Sequence, residues 1–241
     1  AGRVEPLEGD GPFTVFAPSE NAFAALPAGA LDALLADPTA LSNVLRYHVV
    51  GADLPASAVL NRDQLTSLAD GSPNLIVDRV LGNAYINEAA IAATDLDADN
   101  GVVHVIDAVV MPPKDLVSTL QDRGYSELVA AVSEAGLVDT VNGGDFTVFA
   151  PSDAAFTALY DSLGISGPAE VDDDLLVDIL TFHLIDSRVR ASGAASAGTA
   201  TAVNGDALTF AVNGSGDGLL VEKAAITSFN IPATNGIVHA I

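Results

Sequence analysis

Four histidines and a run of aspartates are the side chains here best equipped for chemistry. His48 follows Tyr47, and His183 follows Phe182. His104 and His239 each lie three residues beyond an Asn-Gly pair, Asn100-Gly101 and Asn235-Gly236. A hydrolase built on such an imidazole needs a nucleophile and an orienting acid beside it, gathered in a pocket. The available serines, Ser19 and Ser152, sit in Ala-Pro-Ser sequences, and no G-x-S-x-G elbow occurs. Asp95, Asp97 and Asp99 precede Asn100-Gly101 and resemble the opening of a calcium loop. The glycine falls one place late, however, and Ile106 stands where a bidentate Glu is needed. Turn chemistry is the reading for this segment, with a weak cation site as the alternative. The chain has no Cys, which removes thiol catalysis, Cys-ligated zinc and disulfides together. No cofactor is expected.

The elements that must position these residues occur twice. Phe13-Thr-Val-Phe-Ala-Pro-Ser19 returns as Phe146-Thr-Val-Phe-Ala-Pro-Ser152, 133 residues later. Tyr47-His48 matches Phe182-His183 at an offset of 135, as Asn100-Gly101-Val-Val-His104 matches Asn235-Gly236-Ile-Val-His239. All four histidines therefore occupy two repeated positions. Two copies with so long a period mean a tandem pair of domains, 1–112 and 113–241, each with its own core. The second copy reads Asn230, Pro232 and Thr234 where the first has its three aspartates.

Each copy opens on a short buried strand, Thr14-Val15-Phe16 or Thr147-Val148-Phe149, ended by Pro18 or Pro151. Ser19 and Ser152 then read as helix N-caps, with Glu20 and Asp153 at the positive end of the helix dipole. Pro18 with Phe23, and Pro151 with Phe156, have the spacing of a hydrophobic staple. Asp37-Pro38 and Asp172-Asp173-Asp174 start a second helix. Its apolar stripe is Leu41, Val44, Leu45 and His48, or Leu176, Ile179, Leu180 and His183. Both histidines are thus expected on the inward face, neutral and hydrogen-bonded rather than catalytic. The last third of each copy reads as strands: Leu75–Val77, Ala84–Ile86 and Val102–Val110, then Leu208–Val212, Leu219–Val221 and Gly236–Ile241. Asn100-Gly101 and Asn235-Gly236 suit tight turns between them. Leu116, Leu120, Leu128, Val129 and Val132 mark opening helices of the second copy. Ala191–Ala202 reads as a solvated loop with an edge strand.

FTVFAPSENAF with FTVFAPSDAAF, the Tyr-His and Phe-His pairs, and NGVVHVIDAVVMPP with NGIVHAI resemble the fasciclin (FAS1) domain signature, present twice over nearly the whole chain. The resemblance implies an α+β fold, in which each domain is a wedge of two small β-sheets with helices packed along one side. It also implies a non-enzymatic extracellular or cell-surface protein of the adhesion and matrix type. Its partners would be surface or matrix proteins or glycans. In some members of the family an Asp-Ile pair just before the Tyr-His motif is credited with integrin binding. Only the second copy has that pair, as Asp178-Ile179; the first reads Asn43-Val44. The alternatives are a self-assembling subunit of a fibre or surface array, and a hydrolase using the Tyr-His region.

Charge narrows the partners further. There are 32 acidic and 9 basic residues, a net charge of −23. That field repels phosphate backbones and anionic lipid, so nucleic acid is excluded as a partner. Solubility in a salty or extracellular medium accounts for the excess. No apolar run is long enough to span a bilayer. Asn213-Gly-Ser215 is a lone glycosylation sequon, meaningful in a glycosylating host. The chain opens on Ala1, so no targeting signal is visible in it. Aligning the copies leaves Asp107–Glu134 without a counterpart, which covers a closing strand and opening helices. The expectation is that the first copy lacks its N-terminal helices and the second its final strand end, through trimming or lack of order. A neighbouring chain that supplies them is the alternative.

Overall fold

The computed structural model describes Leu7, residues 9–71 and residues 73–241. The chain divides into two compact units, Ala1–Pro112 and Pro113–Ile241.

In the first unit the described elements run β1 (Phe13–Pro18), α1 (Glu20–Ala24), α2 (Ala30–Ala36), α3 (Pro38–Tyr47), β2 (Val49–Val50), α4 (Ala56–Leu60), β3 (Gln64–Thr66), β4 (Asn74–Val80), β5 (Asn83–Ile86), β6 (Ala89–Ala98) and β7 (Gly101–Ile106). The strands follow one another in the order β2-β1-β7-β6-β5-β4-β3. β1 and β7 are parallel, Phe13 opposite Gly101 and Phe16 opposite His104; the other pairs are antiparallel. Parallel neighbours need a crossover, and the helices and outer strands between β1 and β7 supply it. The strand expected over Val102–Val110 ends at Ile106, where the chain leaves the sheet.

The second unit runs α5 (Leu116–Asp122), α6 (Ser126–Glu134), α7 (Val138–Gly143), β8 (Phe146–Ala150), α8 (Asp153–Leu163), α9 (Asp173–Phe182), β9 (Leu184–Ile185), α10 (Ala191–Ala197), β10 (Thr199–Thr201), β11 (Ala207–Val212), β12 (Leu219–Val221), β13 (Ala224–Ala225), β14 (Ser228–Ala233) and β15 (Gly236–Ala240). Here the strands form two four-stranded sheets, β10-β11-β12-β13 and β14-β15-β8-β9. The long β6 of the first unit, with its register shifts, corresponds to β13 and β14, which are separate strands. Breaking that strand is what turns one continuous strand order into a wedge of two sheets.

Alternation along β8 divides the second core. Phe146, Val148 and Ala150 pack with Leu116, Leu120, Leu128, Val132 and Leu180 on the helical side. Phe149 packs between the sheets with Phe210, Leu208 and Val221. Phe16 holds the corresponding place in the first unit, among Tyr47, Leu75, Val77, Ile86 and Val110. The helical side differs between the copies. Phe23 is 43% exposed and Phe156 5%; Leu45 is 44% exposed and Leu180 3%. The stripe drawn through Leu45 is therefore not fully inward in the first unit. In the second unit, α5 to α7 lie over this side. Among the described residues no α-helix precedes β1.

Ala191–Ala202 corrects the expected loop: α10 takes most of it, and only β10 is an edge strand. Its alanines gave no apolar stripe, yet Ala191 and Ala194 are buried because small side chains let the helix approach the sheet closely.

Candidate functional site

The paired histidines form two kinds of site, and in both the ring is held by the backbone. At the end of α3, His48 is 5% exposed. Its Nδ1–H donates to the Val44 carbonyl at 2.8 Å, and its Nε2 accepts the Val110 N–H at 3.2 Å. In the same helical position, His183 donates from Nδ1 to the Ile179 carbonyl at 2.7 Å. The two copies align only as far as Ile106 and Ile241, so the two rings compare on the helix side only. Both are expected on the inward face, but His183 is half-buried where His48 is buried. Burial lowers the basicity of both rings, because it disfavours the imidazolium; the hydrogen bond to the helix carbonyl works the other way.

His104 and His239 carry the opposite tautomer. Nε2–H of His104 donates to the Leu54 carbonyl, and Nε2–H of His239 to that of Val189, both at 2.9 Å. Their Nδ1 atoms accept the N–H of Asp95 at 3.2 Å and of Asn230 at 3.4 Å. Asp95 and Asn230 have φ of 58° and 57°, the left-handed conformation that Asp and Asn tolerate best. Their side chains then accept the first N–H of a helix, Ala56 to Asp95 Oδ1 and Ala191 to Asn230 Oδ1. The Asp95 carboxylate thus holds the start of α4, and Asn230 does the same for α10. Among the described residues no three His, Cys, Asp or Glu side chains converge as a metal site.

Asn100-Gly101 and Asn235-Gly236 have a second task besides the turn. A Cβ on Gly101 would collide with the Phe13 carbonyl, and one on Gly236 with the Phe146 carbonyl. The glycines therefore admit the parallel strand. The asparagines hold the chain entering that strand: Asn100 Nδ2 donates to the Leu7 and Gly9 carbonyls, and Asn235 Nδ2 to that of Val141 at 2.8 Å. Ser19 and Ser152 stand at the N-caps of α1 and α8, accepting from Ala22 and Ala155 at 3.3 Å.

Two constellations had no signal in the sequence. Thr14 and Thr147 are fully buried. Their hydroxyls donate to the carbonyls of Ala52 and Ser187, each at 2.6 Å, and accept the N–H of Leu54 and Val189. The hydroxyl of Tyr47 donates to the Asn74 carbonyl at 3.0 Å and accepts from Asn87 Nδ2 at 3.1 Å. Asn87 sits at a hairpin turn with positive φ and exchanges two bonds with Ile76, backbone N–H to carbonyl one way and backbone N–H to Oδ1 the other. Glu222 makes the same exchange with Thr209. A carboxylate has no N–H left over, and there the aromatic is Phe182, with no hydroxyl. The Tyr and Phe of the two copies thus differ together with their hairpin partners.

A family model for the fasciclin domain matches residues 1–112 and 123–241. The chain belongs to the fasciclin-domain family. Among its relatives is the pig transforming growth factor-beta-induced protein ig-h3, 33% identical over 98% of this chain and 35% of that protein. Protein sll1483 of Synechocystis is 44% identical over 47% of this chain and 62% of that protein. Human periostin is 28% identical over 77% of this chain and 21% of its own length. The chain thus spans about a third of the ig-h3 protein. A solved FAS1 domain pair from the insect cell adhesion molecule Fasciclin I covers 95% of this chain and 86% of its own, at 18% identity and a TM-score of 0.43.

On these fasciclin domains the other candidate residues lie at the surface of α9. Asp178 is exposed and accepts from Asn204 Nδ2 at 2.9 Å. Ile179 is half-buried, while Val44, its counterpart, is buried. Phe182 packs at the edge of the core between the sheets, its ring edge-on to His183.

Proposed function

We propose that this tandem fasciclin protein works without catalysis, as an extracellular or cell-surface adhesion or matrix module that contacts proteins or glycans. The observation that carries this reading is the commitment of its reactive side chains. The rings of His48, His104 and His239 are each bonded at both nitrogens to backbone groups, and the motif serines cap helices. A general base needs a lone pair directed at a substrate proton, and these lone pairs are directed at peptide N–H groups. Membership of the fasciclin family supports the same reading. So does the acidic surface, which keeps such a module soluble and selects against nucleic acid and anionic lipid. Among the described residues no helix is long and apolar enough to cross a membrane.

Asp178 and Ile179 are the residues of the second unit offered to a receptor. Surfaces coated with the full chain are expected to retain cells or matrix proteins, and Asp178→Ala is expected to weaken that retention while the fold persists. Retention that is absent across a panel of matrix proteins and glycans would overturn the reading. So would ester or glycoside turnover that disappears with His48→Gln.

A further inference from the structure

We propose that His48 is an acid-released latch: protonation at Nε2 turns the acceptor of the Val110 N–H into a donor and frees the Ala108–Met111 segment from α3. Nδ1 already donates to Val44, so the neutral ring has one lone pair, and Val110 occupies it from 62 positions along the chain. An imidazolium has donors at both nitrogens and would face a peptide N–H with an N–H. Val110 is fully buried in the main core of the first unit, beside Phe16 and Tyr47. Val109 packs on Ala22 and Val44. Beyond Ile106 the segment has left the sheet, so no strand ladder holds it when the ring lets go. Its release uncovers an apolar strip along α1 and α3.

The charges around the ring do not compete for this role. On α3, Arg46 is paired with Asp70 at the surface and Asp37 caps the helix start. Asp107 accepts the Ala90 N–H. Glu20 of α1 and Asp32 of α2 are exposed, and β1 and β2 carry no ionisable side chain. The Tyr47 hydroxyl is bonded to Asn74 and Asn87. Among the described residues no carboxylate bonds the His48 ring, and burial holds the ring below its ordinary basicity. The closed state therefore excludes the proton and the open state takes it, so acid favours opening.

The test reads the Val110 amide in the full chain by hydrogen exchange, as a protection factor, from about pH 7.5 to about pH 5.5. An opened His48 titrates near its free value of about 6.5, so the open population is expected to rise about tenfold over that range. The Val77 amide, in the same unit and bonded to the Asp63 carbonyl, is expected to stay level. In His48→Gln, which cannot change charge, the Val110 slope is expected to vanish. Should that variant not fold, the His48 ring titration in the unaltered chain must follow the loss of Val110 protection with the same midpoint. Flat Val110 protection, a midpoint that differs from the ring's, or an equal loss at Val77 would overturn the latch.

Discussion

Replacing Tyr47 by Phe takes away one oxygen and tests the buried chain Ile76–Asn87–Tyr47–Asn74. Tyr47 and Asn87 are both fully buried, so water cannot replace the missing hydroxyl. Two bonds go, Tyr47 to the Asn74 carbonyl at 3.0 Å and Asn87 Nδ2 to Tyr47 at 3.1 Å. A net hydrogen bond contributes about 0.5–1.5 kcal/mol, and an orphaned buried donor costs about 1–3 kcal/mol. Stranding Nδ2 is the larger effect, and the sum is about 2–4 kcal/mol in the first unit. Asn87→Gly removes the donor at a position whose φ is 54°, which glycine adopts freely. In that background Tyr47→Phe is expected to cost only about 1 kcal/mol, leaving a coupling of about 1–3 kcal/mol for the pair. Two units need not unfold together, so native-state hydrogen exchange in urea should be read on β4 and β5, with β11 as the internal reference. A cost below about 0.5 kcal/mol, or the same cost in both backgrounds, would refute the argument that Tyr and Phe follow their hairpin partners.

Thr14→Val and Thr147→Val each remove a buried hydroxyl that bridges a carbonyl and an N–H of a partner loop and are expected to cost about 1–3 kcal/mol, each confined to its own unit in the same exchange measurement. Gly101→Ala, at φ 156° and against the Phe13 carbonyl, is expected to part β1 from β7 and cost about 2–4 kcal/mol; exchange of the β7 amides reports it. The exposed ion pairs Arg46–Asp70, Lys114–Asp122 and Arg188–Asp145 add little stability. Against a net charge of −23, the melting temperature is therefore expected to rise from low to molar monovalent salt, as screening over about 8–10 Å at physiological ionic strength shortens further. A flat or falling melting curve would remove self-repulsion as a determinant.

What could be read from the sequence alone was whatever repeats or acts locally. The doubled FTVFAPS, Tyr/Phe-His and Asn-Gly-x-x-His segments carried the family. N-caps at Ser19, Asp37 and Ser152 were legible because a cap bonds within three residues of itself. Tertiary structure decided what joins distant positions. The tautomers of His48 and His104 depend on Val110 and Leu54, 62 and 50 residues away. The duty of Asp95, legible only as a turn residue, is to hold Ala56 across 39 residues. Thr14 and Asn87 looked like ordinary strand and turn residues until their partners at 40 residues' remove were in place. A hydrogen bond is specified by the atoms it joins in space, and spacing along the chain reveals it only when helix or turn geometry brings near neighbours together. The two asparagines that hold the entering chain to its parallel strand, and the glycines that admit that strand, were visible as a motif; their reason for being there exists only once β1 lies beside β7.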